Sequence, residues 1–221
     1  MARIVFDIET LGADFDTLDT PVKDYFLRFQ KTDEEIKEIK ESMSFYPLTA
    51  EIIAIGMLNP DTDKGAVFFQ SDKPFLPLEE DGIRYESGSE KEILEKFWQT
   101  IKNYGEIVTF NGRAFDCPFI YVRSAMHKIK PTKDLIPGRY TDSHIDLFDR
   151  LSFYGAVRKK FSLDMWCRAF GIESPKDEFT GYEVKEIYKA GRFLDIAKYC
   201  ARDIRATKEL FSYWDNYIRP H

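Results

Sequence analysis

A chain of 221 residues that is 43% hydrophobic and 32% charged is long enough to bury a sizeable core and too apolar to stay disordered. Its net charge of −6, from 32 basic and 38 acidic side chains, argues against a protein that coats nucleic acid broadly through a basic footprint. Cys117, Cys167 and Cys200 fit neither a disulfide framework nor a metal-binding spacing, and no apolar run approaches the roughly 18 residues of a membrane span.

With no leader-like segment ahead of the first strand pattern, the expectation is a cytoplasmic protein with no membrane association, folded as a single domain over residues 1–221. Alternation and β-branched enrichment predict a strand over residues 3–9, and two more over 51–59 and 65–70. The turn chemistry of Pro60-Asp61-Thr62-Asp63-Lys64 joins these two as a hairpin. Between the first strand and the hairpin lies an insertion at about 12–48. There Thr32 and Glu35 read as a capping box ahead of Ile36, Ile39 and Met43, which predicts one amphipathic helix.

A loop over 73–88 leads to a helix opened by Ser89 and Glu92, with an apolar stripe of Ile93, Leu94, Phe97, Trp98 and Ile101. A short strand over 106–110 then runs into a loop and a helix near Asp116, and a fifth strand is expected at 144–148. The remainder reads as helical: one segment from Ser162 to Gly171, one capped by Thr180 to Glu183, and a long final helix over 194–214. Strands first and helices later indicate an α/β fold with a mixed sheet.

Within this pattern Asp7 and Glu9 stand two apart on a strand, so both leave the same face, while Ile4, Phe6, Ile8 and Thr10 point the other way. Taken alone the pair fits an exposed edge as well as a cation site. Asp116 lies just past the end of a strand, where ligands collect in open α/β sheets, but it also suits a helix N-cap with Pro118 near the first turn. Tyr199 and Asp203 share a face of the last helix, an arrangement that also arises by chance. Together these segments supply four carboxylates, whose hard oxygen ligands suit Mg²⁺ or Mn²⁺ rather than Zn²⁺. Two such ions about 4 Å apart can activate a water and stabilise a leaving oxygen in phosphodiester hydrolysis.

The stretches "FDIET", "FNGRAFDCPFI" and "YCARD" resemble, in order, the three motifs of the DEDD superfamily of 3′-to-5′ exonucleases, and the Y-x-x-x-D form is that of its tyrosine branch. Within it the chain is similar to bacterial proteins related to the proofreading exonuclease domain of family B DNA polymerases. The resemblance implies an RNase H-like fold, with a five-stranded mixed sheet flanked by helices. It implies Asp7, Glu9, Asp116 and Asp203 as ligands of two divalent ions, Mg²⁺ or Mn²⁺, and Tyr199 as a group beside the attacking water. With an ordinary pKa near 10, such a tyrosine is expected to orient the water rather than deprotonate it. Thr10, Leu11 and Asn111 match substrate-contact positions of the family.

The implied reaction is hydrolysis of nucleic acid from a free 3′ end, single-stranded DNA being favoured, with release of nucleoside 5′-monophosphates. Alternatives are a catalytically silent nucleic-acid-binding module, an exoribonuclease, and an endonuclease of the same fold. A proofreading role would call for a separate polymerase or repair partner. Asp146 is expected to serve structure, and the three histidines have no ligand spacing. Arg123, His127, Lys128, Lys130 and Lys133, and separately Arg158, Lys159 and Lys160, are candidates for phosphate contact or for a solvated face. Without cations Asp7 and Glu9 are expected to be electrostatically strained, with relief from protons, waters or displaced side chains.

Overall fold

The computed structural model describes residues 2–174 and 183–219. Apolar alternation builds its first strand, β1 (Arg3–Gly12): Ile4, Phe6 and Ile8 enter one buried layer and Val5 the other. Segment 12–48 then carries α1 (Thr20–Leu27) and α2 (Asp33–Glu41) between two 3₁₀ turns, Phe15–Thr17 and Ser42–Phe45. Two helices replace the single one expected because Asp19 caps α1 by accepting from the Val22 N–H, ahead of Pro21 in the first turn. The Thr32–Glu35 capping box forms as read, but Met43 sits in the 3₁₀ turn rather than on α2.

The hairpin follows as β2 (Ala50–Asn59) and β3 (Lys64–Gln70), then β4 (Leu78–Glu80), β5 (Ile83–Gly88) and α3 (Glu90–Ile101). After β6 (Glu106–Thr109) and α4 (Asp116–Met126) come β7 (His144–Asp146), α5 (Leu147–Leu151), α6 (Leu163–Phe170), α7 (Val184–Lys189) and α8 (Phe193–Tyr213), which ends in a π turn over Trp214–Ile218. One sheet runs in the order β4-β5-β3-β2-β1-β6-β7. β1, β2 and β3 pair antiparallel, whereas β6 and β7 run parallel to β1. β1 is thus a central strand and not an edge. The apolar stripe of α3 and the first turns of α4 cover the Ile4-Phe6-Ile8 face, and α8 with α5 covers the other.

The sheet has seven strands where five were expected. The five expected strands are present as β3-β2-β1-β6-β7, and the addition is a β4-β5 hairpin inside the stretch read as a loop. Its turn is Asp81-Gly82, with φ of 51° and 75°, the left-handed pair that a two-residue hairpin demands and that glycine adopts without strain. Only Ile83 and Tyr85 of β5 are buried apolar residues, and β4 is exposed throughout, so alternation was too short to register. The strand expected at 144–148 stops at Asp146, whose carboxylate accepts from the Phe148 N–H and starts α5. Of the cap expected at 180–183, Thr180, Gly181 and Tyr182 lie outside the described residues.

Arg123 and His127, candidates for phosphate contact, are engaged within the fold instead. Both bind the buried Glu90 carboxylate, Arg123 through Nε at 2.7 Å and His127 through Nε2 at 2.6 Å, and Glu90 also accepts from the Ile52 N–H at 2.8 Å. Lys133 likewise donates to the Tyr104 carbonyl. Although burial pushes the Glu90 carboxyl up, these donors more than offset it and hold it below its ordinary value. Glu90→Ala, which strands a buried Arg123, should cost ~3–5 kcal/mol in urea unfolding. A loss under ~1 kcal/mol would show that the cluster is dispensable.

Candidate active site

Strand alternation places Asp7 and Glu9 on the α8 face of β1, beside Val5. Their cross-strand partners on β2 are Gly56 and Ala54. A Cβ at Gly56 would lie 2.9 Å from the Cys200 Sγ, so only glycine lets α8 approach this closely. Ala197, Cys200, Ala201 and Ile204 anchor α8 in the core, and Tyr199 and Asp203, one turn apart, are thereby delivered to the two acids on β1. The Cys200 Sγ donates to the Asp7 carbonyl at 3.7 Å. One ligand atom each of Asp7, Glu9 and Cys200 lie within 4.8 Å of one another, and the cysteine's membership had no signal in its spacing.

Asp116 arrives by a different route. The β1-β6 ladder pairs Arg3–Val5 with Glu106–Val108, and beyond it the Ile8 N–H donates to Asp116 Oδ1 at 3.0 Å. Asp116 is the first residue of α4 rather than its cap, which is Phe115. The loop that delivers it is fixed by Asp146, whose two carboxylate oxygens accept from the Asn111 and Arg113 N–H groups at 2.8 and 2.9 Å. Asp146 has the structural role expected of it. Asn111 takes a left-handed φ of 64°.

The four carboxylates sense one another. Burial first, then the charges of Asp116, Asp203 and Glu9, raise Asp7 well above the ordinary carboxylate range. Glu9, 9% exposed, is raised by burial, by Asp203 and Asp116, and by a hydrogen bond shared with Asp203. Two carboxylates can share a hydrogen bond only around a proton, so the expected strain is present and partly relieved. Asp116, 3% exposed, is pushed up to about 7 by burial, against the pull of its own and the Ile8 N–H groups. Burial, then Asp203, Glu9 and Asp7, drive the Tyr199 phenol upward, so it stays protonated across the working pH range.

A groove of about 950 Å³ opens beside these groups, lined by Glu9, Thr10, Leu11, Phe45, Phe115 and Tyr199 among others. The Thr10 Oγ1 donates to the Ser44 carbonyl at 2.8 Å, tying the 12–48 segment to the end of β1. Phe45 comes from that segment and was not foreseen as part of the site. Asn111 does not line this groove. It faces a second cavity of about 680 Å³ on the far side of the 111–115 loop. Four carboxylates supply hard oxygen ligands that fit divalent cations, which would replace mutual repulsion with attraction, while burial keeps the neighbouring Cys200 thiol protonated.

Comparison with known proteins places this geometry in context. A family described as "Predicted 3'-5' exonuclease related to the exonuclease domain of PolB" matches residues 49–215, a span that holds Asp116, Tyr199 and Asp203. DNA polymerase 1 of Sulfurisphaera ohwakuensis is 26% identical over 220 residues, covering 89% of this chain and 25% of the polymerase. An uncharacterised protein of Methanocaldococcus jannaschii is 27% identical over 183 residues, 77% of this chain and 89% of that protein. The family B DNA polymerase of Pyrobaculum calidifontis superposes with a TM-score of 0.62 at 16% identity, over 97% of this chain and 24% of the polymerase, a likeness of fold. The chain thus spans about a quarter of the length of these two polymerases.

The crowding has a consequence for stability. Carboxylates whose folded pKa is raised stabilise the fold fully below the unfolded value near 4 and lose that contribution as pH rises through the folded value, about 7 for Asp116. In chelator, Asp7→Asn should therefore stabilise the protein by roughly 1–2 kcal/mol at pH 8, and by clearly less at pH 5.5. Denaturant titrations at both pH values check this. An equal effect at both would mean that repulsion at Asp7 is not the cause.

Proposed function

Because the chain belongs to the family of predicted 3′-5′ exonucleases related to the exonuclease domain of PolB, we propose that it removes nucleotides one at a time from the 3′ end of a nucleic acid, single-stranded DNA in preference to RNA. The observation that carries this reading is that Asp7, Glu9, Asp116 and Asp203, brought from a strand, a helix start and a last helix, lie close enough to raise one another's pKa values. The order of those segments and the adjacent Tyr199 fit the tyrosine branch of the DEDD superfamily. The strands β3-β2-β1-β6-β7, three antiparallel and two parallel, fit an RNase H-like sheet to which the β4-β5 hairpin adds an edge.

Asp7, Glu9, Asp116 and Asp203 would hold two divalent cations, Mg²⁺ or Mn²⁺. When bound, these supply charge neutralisation at the phosphate and acidification of the attacking water. The water gives up a proton to solvent as its oxygen bonds to phosphorus, the bond to the 3′ oxygen of the penultimate nucleotide breaks, and that oxygen takes up a proton from solvent to leave as a hydroxyl, with release of a 5′-monophosphate. Tyr199 keeps its proton, so its hydroxyl orients the water and does not act as the base. Thr10 and Leu11 line the groove where the terminal nucleotide would lie, and Phe45 and Phe115 offer it apolar edges. Asn111, on the other side of its loop, would meet the strand at a different point. A proofreading role beside a separate polymerase is compatible with this reading.

The test incubates wild type, Asp7→Ala and Asp203→Ala with 5′-labelled single- and double-stranded DNA and RNA, with Mg²⁺ and with Mn²⁺. A ladder shortening from the 3′ end is expected for wild type, lost in chelator and reduced roughly a thousandfold or more in both variants. Full activity in both variants, or strands bound but never shortened by wild type, would sink the reading. Tyr199→Phe should lose roughly ten- to a hundredfold in kcat with an unshifted pH profile, and a shifted profile would make the tyrosine an acid-base group.

A further inference from the structure

We infer that the second cavity, across the 111–115 loop from the carboxylates, is the track for the phosphate backbone of the substrate strand on its way to the site. This inference rests on the exonuclease reading and adds a surface to it. The cavity holds about 680 Å³ and is lined by Asn111, Arg113, Arg139, Tyr154, Arg158 and Lys160 among others. The two acids in its wall are spent. Asp146 accepts three backbone N–H groups, from Asn111, Arg113 and Phe148, and Asp149 is paired with Arg139.

A surplus of positive charge remains. Arg113 is fixed by the Pro137, Gly138 and His144 carbonyls, which hold its guanidinium in the wall without neutralising it. Arg158 and Lys160 are exposed and have no carboxylate partner among the described residues, where about half of the basic side chains do. These are two of the three basic residues in the run 158–160 that the sequence singled out and that the carboxylate site does not use. The Tyr154 Oη is buried in the wall with no hydrogen-bond partner among the described residues, a donor available to a ligand oxygen. The Tyr140 ring, 73% exposed, stands against Tyr154 with centroids 4.8 Å apart and offers a face to a base.

Continuity with the carboxylate groove sets the occupant. The 111–115 loop is the wall common to both cavities: Phe115 lines the first, and Asn111, Arg113 and Ala114 line the second. A polyanion whose 3′ end lies at Asp7 and Asp116 therefore crosses this loop to reach the surplus cations. Free cations beside aromatic rings match a single-stranded nucleic acid, in which phosphates alternate with stackable bases.

The test compares wild type with the double variant Arg158→Glu and Lys160→Glu, and with the charge-conserving Arg158→Lys and Lys160→Arg. Binding of a fluorescent single strand of about 20 nucleotides is followed by anisotropy, and cleavage kinetics are measured on that strand and on a trinucleotide, which offers far fewer phosphates to the cavity. The expected result is a roughly tenfold or greater rise in Kd and KM for the long strand in the double variant, and a loss on the trinucleotide at least several-fold smaller. The slope of log Kd against log salt should flatten by about 1.4, and the charge-conserving variant should bind as wild type. Unchanged binding of the long strand, or equal losses on both lengths, would overturn the track. If wild type cleaves neither substrate, the exonuclease reading fails by itself, and the binding comparison still decides the cavity.

Discussion

Like-charge repulsion among four carboxylates, two on β1 and one each from α4 and α8, is the constraint against which the surrounding structure is built. Each of Asp7, Glu9 and Asp116 is raised above its ordinary range, with desolvation as the leading cause and the other acids adding to it. A flexible scaffold would relax by letting the acids swing apart. Here β1 is held by ladders on both sides, α8 is fixed by its small apolar face against Gly56, and Asp116 is tethered to the Ile8 N–H. Core packing and backbone hydrogen bonds thus hold a charge arrangement that would otherwise disperse, as strain at functional sites generally requires.

The same logic explains the residues around the acids. Asp146 could have been a fifth member of the cluster, yet its oxygens are consumed by the N–H groups of the 111–113 turn and of α5. It therefore sets the direction of the loop that carries Asp116. His144 beside it is buried between Thr109 and Leu135, and burial, then Arg113, push it down to about 4, so it is neutral and adds no charge to the region. The segment 12–48 contributes in a comparable way. Its second 3₁₀ turn is bonded to Thr10 and places Phe45 in the groove wall, so a surface elaboration becomes part of the cleft.

What could be read in the residues followed from how local the determining interaction is. Alternation in "RIVFDIET" assigns the two faces of β1, and the faces follow from strand geometry whatever lies on either side. The capping boxes at Thr32 and Ser89 form within four residues, and both are present. The β4-β5 hairpin was missed because its one strong mark, Asp81-Gly82, lies between strands too short and too exposed to alternate. Arg123 and His127 read as surface cations because their partner, Glu90, comes from a separate helix and is buried with them. The separation of Asn111 from Thr10 and Leu11 depends on which way a loop turns, which Asp146 decides from some 35 residues away. Cys200 joins the acids only because α8 crosses β1 and β2 at Gly56.

For the proposed reaction, an overall acidic protein facing a polyanion presents an apparent conflict, which the distribution of charge resolves. The carboxylate groove repels phosphate for as long as its charge is uncompensated, and protonation compensates it only in part near neutral pH, where Asp116 titrates. Divalent cations would complete that compensation, so cation loading and strand affinity at this point are thermodynamically linked, each strengthening the other. The pull on the strand would then come from elsewhere, from cations that no carboxylate among the described residues has already claimed. About half of the described basic side chains are paired with carboxylates, which leaves the net charge of −6 a poor guide to local potential, whereas Arg158 and Lys160 have no carboxylate partner among the described residues and stand beside a wall that leads to Asp116. Under the proposed reading, attraction at this cavity and repulsion at the uncompensated acids together suit a grip on one strand end rather than a coating of the strand.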